Sequence, residues 1–284
     1  MRKKSIILVG GPDSGKTNYV GRVWLSLKEH KSSLKRSGMP SDIEYIEAIC
    51  AHILKGEFAG RTDRNMERKD FCVPVQLGDG DITELVVPDF TGELWLNAVV
   101  NSELSQDWLD EIENADSALL FVRVLSPQNV QPLDWVTARE VLRLTGNNDD
   151  DDGDDHKLPT QVVLCELLRL LEDRLGSQNP EVRPRIAVLV TAWDLLDPAA
   201  KGAGPMQFLK RQFPLFWGAL GDVVRAHVGV YGVSIVDGDP ERDQAFKDKI
   251  LASNLADAGS ITLESSTGVE VNHDVTLPIS WAIS

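Results

Sequence analysis

Short apolar runs alternate with amphipathic segments along most of the 284-residue chain. Apolar runs bounded by charged residues or glycine are typical of strands that are buried on both faces of a sheet. Such runs occur at residues 5–9, 117–124, 185–191 and 227–235. Stripes with helical spacing lie between them, and the clearest extends from Thr160 to Leu175, where Gly176 follows. This alternation predicts an α/β fold in three layers, with helices on both faces of a mostly parallel, doubly wound sheet.

A β-hairpin interrupts the alternation. Residues 71–77 and 82–87 are two extended runs separated by Gly78, Asp79 and Gly80. An Asp-Gly turn between two such runs is a strong hairpin signal, so we expect one antiparallel hairpin strand in the sheet. Further apolar stripes predict helices at residues 41–55, 133–144 and 206–220.

We expect a single domain over residues 1–284, because no repeat and no long Pro- or Ser-rich linker divides the chain. Its composition changes at residues 147–157, where aspartates fill positions 149–152 and 154–155. We interpret this run as a solvated, disordered insertion. A cation-binding loop is the alternative, and it would need oxygen ligands in a fixed geometry.

The C-terminal segment, residues 237–284, is polar and irregular. Short strands are predicted at residues 261–263 and 269–271, and residues 274–281 resemble the opening of a helix, with Pro278 tolerated in its first turn. A fold of this class needs a final helix to cover its last strand. The helix is either naturally short or truncated because the chain is part of a longer protein.

Composition excludes several partners. The formal net charge of −15 would repel the phosphates of nucleic acids and of anionic membrane surfaces. Every apolar run is too short to cross a bilayer. Cys50, Cys72 and Cys165 lie far apart in the sequence, which argues against a disulfide framework or a zinc site and favours a cytoplasmic protein.

A complete phosphate-binding loop, G-x-x-x-x-G-K-[ST], follows the first apolar run and precedes a helical stripe. Its residues are Gly10, Gly11, Pro12, Asp13, Ser14, Gly15, Lys16 and Thr17. A strand, a tight turn and a helix in this order bring successive backbone N–H groups onto a phosphate. Lys16 would reach the outer phosphates and the Thr17 hydroxyl would bind Mg²⁺. The chain is therefore predicted to bind a nucleoside triphosphate.

A second motif follows the hairpin, where residues 89–93 read Asp-Phe-Thr-Gly-Glu. It resembles the D-x-x-G motif of the GTPases that include Ras and the translation factors. The resemblance implies that Asp89 holds Mg²⁺ through water and that the Gly92 N–H senses a γ-phosphate. Glu93 stands where many relatives have a glutamine that positions the attacking water. A carboxylate there cannot donate a hydrogen bond, so we expect slow hydrolysis. The alternative for residues 89–92 is a simple turn after a strand.

A third motif, Thr191-Ala192-Trp193-Asp194, stands where the same family has [NT]-K-x-D. The resemblance implies that Asp194 accepts hydrogen bonds from guanine, which adenine cannot offer on that edge. Ala192 replaces the lysine that normally packs against the base, and we expect Trp193 to cover the ring by stacking instead. Asp194 as a cap for the following helix is the alternative. Ser234 and Ile235 form a weaker match to the family's S-A-x motif.

The first switch of such GTPases contains a threonine that completes the Mg²⁺ shell and orients water. Thr62 is the candidate, since no other threonine lies between Thr17 and Thr83. Arg61 or Arg64 could serve as an internal arginine finger, or both could be ordinary solvated residues.

The chain most closely resembles the double-GTPase families of bacterial conflict and signalling systems, over about residues 5–236. This resemblance implies Mg²⁺-dependent binding of GTP and GDP, slow GTP hydrolysis, and a molecular switch that acts on a protein effector or a fused effector domain. Two alternatives remain open. The absence of a lysine at position 192 favours an ATP-using hydrolase or kinase. Glu93 favours a nucleotide-binding interaction module with little hydrolysis.

Overall fold

A mixed β-sheet runs through the computed structural model. The described residues are 2–28, 32–40, 43–58, 70–88, 92–132, 158–179, 181–240, 242–252 and 258–284. The strands are β1 (Arg2–Val9), β2 (Leu34–Arg36), β3 (Asp70–Leu77), β4 (Ile82–Pro88), β5 (Ser117–Arg123), β6 (Arg185–Thr191), β7 (His227–Ser234), β8 (Ser260–Ser265) and β9 (Gly268–Asn272). Among the described residues their order is β2-β3-β4-β1-β5-β6-β7-β8-β9. The five central strands, which are β4, β1, β5, β6 and β7, are parallel.

Helices cover both faces of this sheet. They are α1 (Lys16–Lys28), α2 (Ile43–Leu54), α3 (Gly92–Val100), α4 (Gln106–Asn114), α5 (Thr160–Arg174), α6 (Pro198–Ala203), α7 (Pro205–Gln212), α8 (Pro214–Gly221), α9 (Gln244–Ala252) and α10 (Leu277–Ile283). One short 3₁₀ turn, Trp193–Leu195, follows β6. The predicted α/β class is confirmed.

The central strands are buried on both faces because successive side chains point to opposite sides of a strand. In β6, Ile186 and Val190 belong to one hydrophobic core, whereas Ala187 and Leu189 belong to the other. Helices α1, α2, α9 and α10 contribute to the core that contains Ala187, and α3, α4, α5, α7 and α8 contribute to the core that contains Ile186. This arrangement gives the three layers predicted from the apolar runs.

The predicted hairpin forms from β3 and β4, which pair antiparallel with Phe71 opposite Val87. Antiparallel pairing also extends further than expected. At one edge the short strand β2 pairs with β3, and its Leu34 is fully buried. The sequence pattern did not reveal β2, because three residues are too few to show a period of two.

The C-terminal segment forms the two predicted strands, each longer than expected, and a final helix. Strands β8 and β9 form an antiparallel hairpin that pairs with β7 at the opposite edge of the sheet. Helix α10 packs on β5 and β6 through buried residues that include Ile279 and Ala282. The Tyr19 hydroxyl in α1 donates a 2.9 Å hydrogen bond to the carbonyl of Val275, which ties this segment to the first helix.

Two predicted helices need comment. The stripe at residues 206–220 is divided into α7 and α8, because Pro214 lacks an N–H group and begins a new helix. The helix predicted at residues 133–144 and the acidic insertion at 147–157 lie outside the described residues. In the described ranges, no helix has both the length and the apolar character needed to span a membrane.

Candidate functional site

The phosphate loop connects the end of β1 to the start of α1. Asp13 and Gly15 have positive φ angles of 59° and 93°, which curl the backbone between the strand and the helix. Gly10 is required for a different reason. A Cβ atom there would lie 2.9 Å from Ser14 Oγ and 3.0 Å from the Cβ of Phe121 in β5. The loop therefore lies directly against the end of β5.

Lys16 is the first residue of α1, and its side chain folds back over the loop. The ammonium group donates hydrogen bonds to the carbonyls of Gly10 at 2.7 Å and Gly11 at 2.9 Å, and to Ser14 Oγ at 3.2 Å. Lys16 is buried. Its positive charge adds to the partial positive charge at the helix N-terminus. The loop thus concentrates donors and positive charge where an anion is favoured.

Residues that would hold Mg²⁺ are only partly described. Thr17 is half-buried at the second position of α1, and its hydroxyl is an oxygen ligand of the kind that Mg²⁺ prefers. The other predicted ligands, Thr62 and Asp89, lie outside the described residues, as do Arg61 and Arg64.

Gly92 of the second motif begins α3 and lies against the phosphate loop. A Cβ atom on Gly92 would lie 2.3 Å from the backbone nitrogen of Pro12 and 2.5 Å from the carbonyl carbon of Gly11. The fully buried Trp95 fixes this helix, because its indole N–H donates a 2.9 Å hydrogen bond to the carbonyl of Leu8 in β1. The second motif therefore contacts the first, and Glu93 is the residue that follows the contact.

The third motif also contacts the phosphate loop. Thr191 ends β6, and its hydroxyl donates a 2.8 Å hydrogen bond to the carbonyl of Ser14. Ala192 then adopts a left-handed conformation with φ 56° and ψ 37°, which turns the chain into the 3₁₀ turn at Trp193–Leu195. The reversal places Asp194 at the same edge of the sheet as the phosphate loop.

The structure brings together Asp194 of the third motif and Ser234 of the match to the S-A-x motif. The Ser234 hydroxyl donates a 2.7 Å hydrogen bond to Asp194 Oδ1 and accepts one of 2.7 Å from the Asp237 N–H. Burial raises the pKa of the Asp194 carboxyl above its ordinary value, and the hydrogen bond from Ser234 opposes that shift. Ile235 follows Ser234 directly after β7 and is half-buried.

Trp193 does not occupy the position expected of a base-stacking residue. Its indole is 3% exposed and makes an edge contact with Phe208, the ring centroids being 5.7 Å apart. On another side it contacts the backbone of Gly232 so closely that a Cβ atom there would lie 2.6 Å from the ring. The left-handed turn at Ala192 directs the indole into the core, so the structure corrects the stacking expectation.

Sequence reasoning missed a further residue of this site. Arg123 ends β5, and its Nη1 donates hydrogen bonds to Asp13 Oδ1 at 2.9 Å and to the Asp13 carbonyl at 3.1 Å. In the sequence, Arg123 is a single charged residue near the end of the apolar run 117–124. A charged residue at the carboxyl end of a central parallel strand is itself a signal, because ligands bind at that edge of an α/β sheet.

Four chain segments thus converge on one edge of the sheet. Gly92, Thr191 and Arg123 contact the phosphate loop. Asp194 lies in the 3₁₀ turn that follows Thr191 in the chain. The family model of the Double-GTPase 1 proteins matches residues 7–282. The chain belongs to the Double-GTPase 1 family.

This membership confirms the resemblance that the motifs indicated. The double-GTPases are a P-loop family, and membership supports GTP binding and hydrolysis in general. None of the curated proteins matches the chain significantly.

Proposed function

We propose that this double-GTPase binds GTP with Mg²⁺, hydrolyses it slowly, and acts as a molecular switch in the cytoplasm of a bacterium. The observation that carries the proposal is the convergence of the phosphate loop with the bonded pair of Asp194 and Ser234. The loop amides and Lys16 would hold the phosphates, and Asp194 would accept hydrogen bonds from the guanine edge.

The metal would be held by Thr17, Thr62 and Asp89, three residues that offer only oxygen ligands. Bound Mg²⁺ would neutralise charge that develops on the phosphates. Gly92 would sense the γ-phosphate. Its backbone lies against Gly11 and Pro12, so a change in the loop at either residue must also move Gly92. Such a contact links nucleotide state to the start of α3, where a protein effector or a fused effector domain would sense it.

Slow hydrolysis follows from Glu93. A carboxylate beside the γ-phosphate can accept a hydrogen bond from water but cannot donate one, and its negative charge is unfavourable there. The same residue favours a second candidate function, a nucleotide-binding interaction module with little turnover. Single-turnover hydrolysis with and without Mg²⁺ separates the two, since a switch hydrolyses GTP at a measurable Mg²⁺-dependent rate and a passive module does not.

Base selection is the sharpest test of the site. GTP, ATP and XTP are titrated by calorimetry against the native chain and against Asp194→Asn. We expect the native chain to prefer GTP over ATP by roughly tenfold or more, because a site built to pair polar groups rejects a ligand that leaves them unpaired. Asp194→Asn should shift the preference towards XTP, since an amide can donate to the xanthine oxygen.

Asp197→Asn is the matched control. Asp197 lies three residues further on and accepts a 2.8 Å hydrogen bond from the Ala200 N–H at the start of α6. The same substitution there should leave base preference unchanged. An ATP preference in the native chain would favour an ATP-using hydrolase or kinase, and an unchanged preference in Asp194→Asn would remove Asp194 from the site.

A further inference from the structure

Arg123 joins the phosphate loop to the strand that neighbours the third motif. Its guanidinium contacts Asp13 twice, through the side-chain carboxylate and through the backbone carbonyl. The strand end that carries it is itself fixed, because the Asn129 side chain donates a 3.0 Å hydrogen bond to the carbonyl of Arg123. The guanidinium is therefore positioned from both the loop and the backbone.

The position of Arg123 is the informative point. In the parallel pairing of β5 and β6, Arg123 lies opposite Thr191, the residue before Ala192. Thr191 holds the Ser14 carbonyl of the phosphate loop and Arg123 holds the Asp13 carbonyl, so two adjacent strand ends bind two successive loop residues. A lysine at position 192 would place a cation beside this pair, but Ala192 has only a methyl group.

We propose that Arg123 supplies, from the end of β5, the cation that Ala192 lacks at the end of β6. It fixes the phosphate loop at Asp13 and presents its guanidinium on the side of the site where Asp194 receives the base. This inference rests on the proposed function, since it takes the ligand to be a guanine nucleotide. Arg123 is a positioning residue for that ligand.

Two features support a binding function over a purely structural one. Side chains of Arg123 and Asp13 are 31% and 36% exposed, and ion pairs with that much solvent contact contribute little to folding stability. Asp13 is also a non-glycine residue with a φ of 59°, a conformation that persists only where its surroundings hold it. Arg123 contributes to those surroundings, so its effect is expected in the shape of the loop that receives phosphates.

The experiment measures GTP and GDP affinities of Arg123→Ala, of Ala192→Lys, and of the double variant. We expect Arg123→Ala to weaken GTP and GDP equally, by about tenfold, because both nucleotides share the phosphates that the loop would bind. In the double variant, Ala192→Lys should restore most of that loss, and this gain should exceed any change in affinity that Ala192→Lys causes alone. This non-additive result would not arise from general destabilisation.

Arg169→Ala is the matched control, because Arg169 forms a 2.7 Å ion pair with Glu166 on the surface of α5, far from the loop in sequence. It should bind both nucleotides normally. If Arg123→Ala does not fold, Arg123→Gln provides the same comparison while keeping a long polar side chain.

Three results would overturn the inference. They are an Arg123→Ala affinity within twofold of the native value, the absence of any restoration in the double variant, and a loss confined to GTP, which would place the guanidinium on the outermost phosphate. If Asp194→Asn shifts the base preference as predicted and Arg123→Ala binds normally, the inference alone fails. If the native chain does not prefer GTP, the proposed function fails first.

Discussion

The hydroxyl of Ser234 and the carboxylate of Asp194 lie 2.7 Å apart, although 40 residues separate them in the sequence. Ser234 is 2% exposed, so the bond is shielded from water on the serine side. Ser234 also accepts a hydrogen bond from the Asp237 N–H, which fixes the direction of its own proton towards Asp194. The pair orients the carboxylate that we assign to the guanine base.

Ser234→Ala should therefore weaken GTP binding while leaving ATP binding unchanged. Hydrogen bonds to a charged group are worth about 1.5–3 kcal/mol, so a loss of roughly tenfold to a hundredfold in GTP affinity is expected. Calorimetric titration measures both affinities. Ser265→Ala, in the exposed β8–β9 hairpin, is the control, and an equal loss for GTP and ATP in Ser234→Ala would contradict the pairing with the base.

The ratio of GTP to ATP affinity should depend on pH. Burial raises the pKa of Asp194 above the ordinary 3.8, and guanine needs the ionised carboxylate. As pH falls through the raised pKa, Asp194 becomes protonated and the ratio of GTP to ATP affinity should decrease. Below the pKa, the ratio should fall by up to about tenfold for each pH unit. Taking the ratio removes the titration of the phosphates, which both nucleotides share. A ratio that is constant down to the ordinary pKa of aspartate would contradict the shift.

The same shift has a consequence for stability with a definite sign. The folded chain binds the Asp194 proton more tightly than the unfolded chain does, so the free energy of unfolding should decrease as pH rises from 3.8 through the raised pKa. Asp194→Asn cannot titrate and should lack this part of the pH dependence. Denaturant unfolding of both chains across that window measures the difference, and identical pH profiles would be inconsistent with a raised pKa.

Gly92→Ala should disturb the phosphate loop. The new Cβ atom would meet backbone atoms of Gly11 and Pro12 at 2.5 Å or less, and backbone cannot move aside as a flexible side chain can. A loss of about 1–3 kcal/mol in the free energy of unfolding is expected, together with weaker triphosphate binding.

Gly202→Ala is a suitable comparison, because nothing lies within 4 Å of a Cβ atom at Gly202 in α6. That variant should be neutral or gain up to about 1 kcal/mol, since alanine favours helix more than glycine does. Equal stability of the two variants would show that Gly92 and the loop are not in close contact.

Thr191→Val removes the hydroxyl that binds the Ser14 carbonyl and keeps the size of the side chain. Because this bond fixes the phosphate loop and does not read the base, GTP and ATP affinities should fall by the same factor, about threefold to tenfold. Thr267→Val, at an exposed turn position, should change neither. A selective loss of GTP in Thr191→Val would instead assign Thr191 to base recognition.

Much of this site could be predicted because its motifs stand at the ends of strands. Val9, Thr191 and Ser234 each end an apolar run, and parallel strands deliver their carboxyl ends to one edge of the sheet. The sequence therefore predicts that residues directly after these strands lie together at that edge. The contact of Gly92 with the loop also agrees with the expected position of the second motif.

Other features depend on geometry that the local pattern does not contain. The contact of Arg123 with Asp13 requires the register of β5 beside β6 and the left-handed conformation of Asp13. An aromatic residue next to Asp194 favours stacking on the base, but the conformation of Ala192 decides which way the Trp193 indole points. Strand β2 forms by pairing with β3. The sequence does not predict it, because three residues are too few to show a periodic pattern.

Equilibrium binding of GTP to the native chain and to Lys16→Ala tests most directly whether the phosphate loop captures a guanine nucleotide. The Lys16 ammonium is buried over the loop carbonyls, so its removal should lower GTP affinity by about a hundredfold or more. Lys210→Ala, an exposed position in α7, should bind GTP normally. We expect a native chain that binds GTP and a Lys16→Ala variant that has lost most of this affinity, whereas equal GTP affinity in the two chains would contradict a nucleotide site at this loop.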